Sequence, residues 1–233
     1  MFEYVKQQLS EVQDALATAC YNAKRKPQDV KLLAVSKTFP IEAVLAAYDA
    51  GQRCFAENRV PELENKVSEL PSDINWHLIG HLQSNKVRKA LKSSEMIHSV
   101  DSLKLLTKIN GISFENKIQK KVLLEINISN EPSKFGLSEK ESFYLVENSL
   151  KMQNINLLGL MTMAPFGANE ISLHNIFGNL RKLKNKLESE FSIQLPELSM
   201  GMSSDYIQAV AEGATMVRIG TAIFGKRPKI NAK

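Results

Sequence analysis

A (β/α)8 barrel is the fold class this sequence predicts. Three observations point to it. Short apolar runs recur eight times, segments with helix punctuation separate them, and 233 residues is a common length for a single-domain barrel. The runs span residues 30–37, 54–58, 76–80, 96–100, 122–128, 157–163, 198–200 and 216–220. Length and β-branched or aromatic content mark them as strands; periodicity does not separate them from buried helix. The seventh, LSM, is the weakest, with three residues. Strands alternating with helices give a parallel sheet, and eight such units close it into one domain over residues 1–233.

The helices follow in order. Residues 2–25 form an extra helix before the first strand. Pro40 opens the helix in IEAVLAAYDA and Gly51 stops it. Ser84 precedes NKVRKALK. Asp101 or Ser102 caps LKLLTKIN, with Gly111 at its end. Ser138 and Glu141 make a capping box before SFYLVENSLKM. Ser203 or Ser204 caps DYIQAVAE, and Gly213 follows it. Only eight residues come after Gly225, too few for a full eighth outer helix, so the N-terminal helix is expected to cover that wall. The competing architecture, a doubly wound open sheet, lacks its Gly-rich fingerprint, since G-x-G-x-x-G occurs nowhere in the chain.

Composition excludes several classes of function. No run of 18 apolar residues is present, and the polar, amphipathic N-terminus has no signal-peptide core. Cys20 and Cys54 form neither a disulfide framework nor a metal-ligand spacing, which suits a reduced, cytoplasmic setting. The net charge of +5 is mild and partly sits in the tail KRPKINAK, at Lys226, Arg227, Lys229 and Lys233. Without a nucleic-acid-binding signature beside it, that tail reads as a solvated terminus.

Barrel chemistry sits at the C-terminal ends of the strands. Those ends carry Lys37, Asn58, Gly80 and His81, Asp101, Asn127, Met163, residues 199–203 and residues 218–221. Lys37 is either a solvated lysine or an amine held in the mouth. Partial desolvation and nearby cations would lower its pKa and free its lone pair to attack an aldehyde. The loops after strands seven and eight, where barrels commonly bind phosphate, hold Gly201, Ser203 and Ser204, then Gly220 and Thr221. Glycines let backbone N–H groups approach an anion, hydroxyls add donors, and a helix beginning near Ser203 adds its positive end. Arg218 shares a strand face with Met216 and Gly220. Buried there, it either pairs with an interior acid such as Glu125 or donates to a ligand nitrogen and keeps it unprotonated. His77 and His81 lack the glutamate and the helix of H-E-x-x-H and read as packed or solvent-bonded side chains. The methionines of LLGLMTMA and LSMGM read as barrel filling, with Met200 and Met202 also able to flank a planar ring.

Six blocks in order, AVSKTFP, FAENRV, WHLIGHLQSNKVR, INISNEPSKFGL, GLMTM and LSMGMSSDYIQAVAEGATMVRIGTAIFGKR, resemble the pyridoxal phosphate homeostasis protein family. The likeness runs from about residue 30 to residue 227. It implies a barrel similar to the N-terminal domain of alanine racemase that binds pyridoxal 5′-phosphate. By that resemblance Lys37 forms the internal aldimine and Arg218 faces the pyridine nitrogen. Ser203, Gly220 and Thr221 hold the phosphate, and Asn58 with a turn at Ser199 and Met200 lies beside the ring. The family is associated with cofactor homeostasis, without a robust enzymatic activity. The chain departs from the family pattern at Phe39, Ala56, Arg59, His81 and Ser204, none of them a proposed anchor.

The resemblance also separates carrier from catalyst. Alanine racemases use two opposed bases, the second a tyrosine from an added β-domain across a dimer. This chain runs only thirteen residues past Gly220, and none of Tyr4, Tyr21, Tyr48, Tyr144 and Tyr206 falls at a strand end. Arginine at the ring nitrogen also weakens the cofactor as an electron sink. The expectation is therefore a monomeric protein that holds pyridoxal phosphate and passes it to apoenzymes; the alternative is a slow amino-acid racemase or lyase.

Overall fold

The computed structural model describes residues 2–129 and 135–226. Arg227, Lys229 and Lys233 of the basic tail, and residues 130–134 of the INISNEPSKFGL block, lie outside the described residues. The strands are β1 Lys31–Val35, β2 Cys54–Glu57, β3 Asn75–Leu78, β4 Met96–Val100, β5 Lys120–Glu125, β6 Ile155–Met161, β7 Glu197–Met202 and β8 Met216–Ile219. Each pairs in parallel with the next, and β8 pairs with β1, closing the barrel. The weakest strand of the sequence reading, LSM, is in fact a six-residue strand.

Strand alternation divides the side chains into two cores. Outward residues such as Leu32, Phe55, Leu78, Ile97, Val122, Leu198 and Val217 pack under the helices. Inside, a much smaller apolar set, Leu33, Val35, Ala56, Met96, Leu123, Met161 and Met216, fills the barrel. Several remaining inward positions are polar, and they form the candidate site.

The helices among the described residues are α1 Glu3–Asn22, α2 Ile41–Asp49, α3 Val60–Glu69, α4 Val87–Ser93, α5 Leu103–Glu115, α6 Glu139–Ser149, α7 Glu170–Phe191, α8 Tyr206–Ala211 and α9 Thr221–Phe224. Pro40 precedes α2, and Gly51, at φ 98°, follows it. Ser102 caps α5, its Oγ accepting from the Leu105 N–H. At α6 the Ser138–Glu141 box closes reciprocally, with both backbone N–H groups satisfied.

Two expected boundaries are corrected. Gly111 does not end α5; the buried Ile112 and Ser113 carry the helix four residues further, because their burial outweighs one exposed glycine. Neither Ser203 nor Ser204 caps α8. Asp205 stands at that position, and its Oδ1 accepts from the Met202 N–H at 2.5 Å, so the carboxylate ties the end of β7 to the helix.

The final wall is covered as expected. Helix α9 is a single four-residue turn, and α1 packs against α2, α8 and α9. Val5, Leu9, Val12, Leu16, Ala19 and Cys20 are its buried face. Tyr4 Oη donates to Phe224 O at 2.9 Å, and Arg25 Nη1 donates to Val210 O at 3.0 Å, pinning both ends.

Candidate cofactor-binding site

Lys37 follows β1 in a turn closed by the Phe39 N–H donating to Ser36 O at 3.0 Å. It lies two residues beyond Val35, in the turn that follows the strand, and is half-buried. The next residue, Thr38, has φ 69°, a left-handed conformation that is rare for a β-branched residue and costs about 1–3 kcal/mol. A network running from the partly exposed Glu62 to the buried Lys66 and Glu57 holds it there. The Thr38 N–H donates to Glu62 Oε1 at 2.6 Å. Lys66 Nζ donates to Ser36 O at 2.8 Å, to Glu57 Oε1 at 2.6 Å and to Glu62 Oε1 at 3.1 Å. Ser36 Oγ donates to the same Glu57 oxygen at 2.6 Å. Burial pushes the Glu57 carboxyl up, and Lys66 opposes that shift. Glu57, Glu62 and Lys66 were not among the expected functional residues; only the i, i+4 spacing of Glu62 and Lys66 hinted at a pair.

Inside the barrel a hydrogen-bonded chain crosses four strands. Arg218 Nη1 donates to Ser199 Oγ at 2.7 Å, and Nη2 donates to Thr162 O at 2.8 Å. Ser199 Oγ lies 2.9 Å from His98 Nδ1, and His98 Nε2 lies 2.8 Å from His77 Nδ1. A guanidinium has no acceptor, so the Ser199 oxygen must accept from it. If the Ser199 hydrogen then goes to His98 Nδ1, each of these contacts joins one donor to one acceptor: His98 donates from Nε2, and His77 accepts at Nδ1. Both imidazoles are therefore neutral. Burial lowers His77 to about 4 and takes His98 well below its ordinary value, with neighbouring cations adding to each. Burial also lowers Arg218, to about 10, so it stays charged at neutral pH.

The expected alternative of an Arg218–Glu125 ion pair does not form. Glu125 and Asp205 act on the guanidinium only at longer range, and its short contacts are Ser199 and the Thr162 carbonyl. His77 is packed, as its sequence context suggested. His98 escaped notice, although in MIHSV it alternates with the inward Met96, a period-two signal that could have found it.

The two anion loops meet the Lys37 turn because their strands are neighbours. Ala34 pairs with Ile219, and Met202 pairs with Arg218. Lys37 thus stands three residues beyond one partner, and Thr221 two residues beyond the other. Ser203 Oγ accepts from the Ala222 N–H at 3.4 Å, joining one loop to the other. Gly220 sits against β1: a Cβ there would lie 3.1 Å from Val35 O. Gly201, at φ 90°, allows α8 to close on β7; a Cβ there would come within 2.6 Å of the Ala209 Cβ.

Asn58 follows β2, half-buried on the inward face of Ala56. The expected turn at Ser199 and Met200 is corrected: both lie within β7, and the fully buried Met200 side chain packs outward with the helix-facing core. It therefore cannot flank a ring in the mouth. At the rim, His81 pairs with Asp101 at 3.1 Å and stacks on Phe135 with ring centroids 4.5 Å apart.

A half-buried lysine at a strand end, two loops of glycine and hydroxyl groups, and a buried guanidinium suit a ligand that joins an aldehyde, a phosphate and a ring nitrogen. The closeness of Gly220 to Val35 is consistent with that donor set, because a larger residue would fill the space beside the amine turn.

Known proteins agree with this architecture. The family model for the alanine racemase N-terminal domain matches residues 12–228. A pyridoxal phosphate homeostasis protein of Aquifex aeolicus is 40% identical over 222 residues, covering 95% of this chain and 97% of its own. The structure of PipY from Synechococcus elongatus with pyridoxal phosphate bound is similar at a TM-score of 0.84 and 37% identity, covering 95% of this chain and 100% of that one. Alanine racemase of Clostridium difficile shares the fold alone, at a TM-score of 0.72 and 16% identity over 95% of this chain and 58% of that one. On its fold, its inward strand ends and these relatives, the chain belongs to the pyridoxal phosphate homeostasis protein family.

Proposed function

We propose that the protein holds and releases pyridoxal 5′-phosphate without turning over a substrate of its own. One observation carries the reading: the strand that presents Lys37 is hydrogen-bonded to the strand that leads into the Gly220–Thr221 loop. When bound, the cofactor supplies an aldehyde, a phosphate dianion and a pyridine nitrogen. Lys37 supplies the amine. Ser203, Gly220 and Thr221 supply phosphate donors, and Asn58 and the Ser199 region border the ring. Arg218 keeps three N–H donors beyond its two bonds to Ser199 and Thr162, and a permanent cation facing the ring nitrogen keeps that nitrogen unprotonated. This favours storage over carbanion chemistry.

The tyrosines support a carrier. Tyr4 and Tyr48 bond to Phe224 O and Asp73 on the outer shell, while Tyr21 and Tyr144 are exposed. Tyr206 begins α8. None of them stands on an inward strand position opposite Lys37. With Cys20 and Cys54 both free thiols, the reading is of a cytoplasmic monomer that delivers its cargo to apoenzymes.

The purified protein mixed with pyridoxal phosphate is expected to develop a lysine-linked visible band that Lys37→Ala abolishes. A band unchanged in that variant overturns the cofactor site. Incubation with L-amino acids and chiral product analysis tests the rest; turnover of about 1 s⁻¹ or faster makes the protein a racemase or lyase instead of a carrier.

A further inference from the structure

The Glu125 side chain makes none of the hydrogen bonds found among the described residues, although the residue is only 3% exposed and its backbone carbonyl accepts from the Leu137 N–H. It ends β5 on the inward face, two residues beyond Leu123. Its side chain borders a cavity of about 240 Å³, lined also by Asn127, Phe135, Met163, Ala164 and Met202. Drug-sized ligands occupy roughly 300–1,000 Å³, so this space suits a smaller molecule. In the ring of strands, β5 stands across the barrel from β1, which places the cavity in the half of the mouth facing Lys37.

The lining selects the ligand by charge. Arg218 already donates to Ser199 and Thr162, and Asn127 Oδ1 accepts from Ser129 Oγ at 3.1 Å. Among the described residues Glu125 is the one titratable group of the lining; Asn127 adds an amide, and the other walls are thioether, aromatic ring and aliphatic carbon. A carboxylate bordering a largely apolar cavity is complemented by a cation that brings its own N–H groups, and an alkyl stem fits the apolar walls.

We infer that this cavity is a subsite for a primary aliphatic ammonium, placed opposite Lys37 in the same mouth. The amine comes either from a free small molecule or from a lysine side chain of a receiving protein. Resting on the proposed function, the subsite would set a second amine beside the aldehyde that Lys37 holds: after its ammonium passes a proton to Glu125, its nitrogen would form the new bond to the aldehyde carbon as the bond to Lys37 breaks and the lysine leaves as its free amine, which couples release of the cofactor to the presence of its recipient.

Burial, with the nearby Asp101, raises Glu125 to about 7, and Arg218 opposes the rise. Asp101 beyond β4 and Arg218 on β8 are the charged groups bearing on it, His81 pairs with Asp101, and Met163 and Met202 bring nothing titratable from β6 and β7. Alkylammonium ions stay protonated well above this range.

The test is calorimetric titration of the ligand-free protein with n-butylamine and, separately, with N-acetyl-lysine amide. Saturable binding is expected near pH 8, weaker by about tenfold near pH 6, where Glu125 is mostly protonated. Glu125→Gln and the cavity-filling Ala164→Leu are each expected to abolish it while circular dichroism stays unchanged. Binding of butylamine alone names the free-molecule source, and binding of the lysine amide names the protein source. No binding of either amine, or binding that both variants leave intact, overturns the subsite. No aldehyde is present, so a protein that binds the amine but never develops the lysine-linked band sinks the cofactor reading alone.

Discussion

Arg218, Ser199, His98 and His77 show how one buried cation is accommodated without a salt bridge. Its charge meets a carbonyl and a hydroxyl, and the hydroxyl passes the polarity on to two neutral imidazoles. Glu125 behaves oppositely: burial and the nearby Asp101 raise its pKa to about 7 against an ordinary 4.5, with Arg218 opposing. For an acid raised on folding, the folded state binds the extra proton between those two values, so stability falls as pH rises from 4.5 to 7. The penalty is fully present above pH 7, at about 3 kcal/mol. Glu125→Gln removes it. Urea denaturation of the two proteins is expected to show the variant gaining stability over the wild type by about that amount between pH 4.5 and pH 8; a difference independent of pH would contradict the burial argument. The positions of Lys37, Arg218 and the glycine–hydroxyl loops at the ends of their strands were legible in the sequence because each lies within a few residues of a strand end. The chain through His98 was not, since its partners are 101 and 21 residues away and only barrel closure brings them together.

Strand and helix punctuation was legible where local chemistry decides it, as at Pro40, Gly51, Ser102 and the Ser138–Glu141 box. It misled where packing decides it. Gly111 stays helical because Ile112 is buried, and β7 continues past LSM through Gly201 because α8 lies against that glycine. Close approach and a left-handed φ both exclude a side chain at Gly201. Gly201→Ala is expected to separate α8 from β7, displace the Ser203 loop and weaken phosphate binding. Inorganic phosphate titration monitored by NMR would show losses confined to residues near Ser203 and Gly220; wild-type affinity in that variant would contradict the role of the close approach.

At the scale of the whole molecule, α1 takes the place of the outer helix that a four-residue α9 cannot provide, and the barrel closes with β8 beside β1. That closure is what sets the Lys37 turn beside the Gly220–Thr221 loop, and the buried Lys66 and Glu57 with the partly exposed Glu62 hold the turn's strained Thr38. The most direct test of this joining is borohydride reduction of the protein loaded with pyridoxal phosphate, followed by peptide mapping. The expected result is a single reduced pyridoxyl adduct on the peptide carrying Lys37. An adduct spread over surface lysines, or fixed on another lysine while Lys37 stays unmodified, would contradict it.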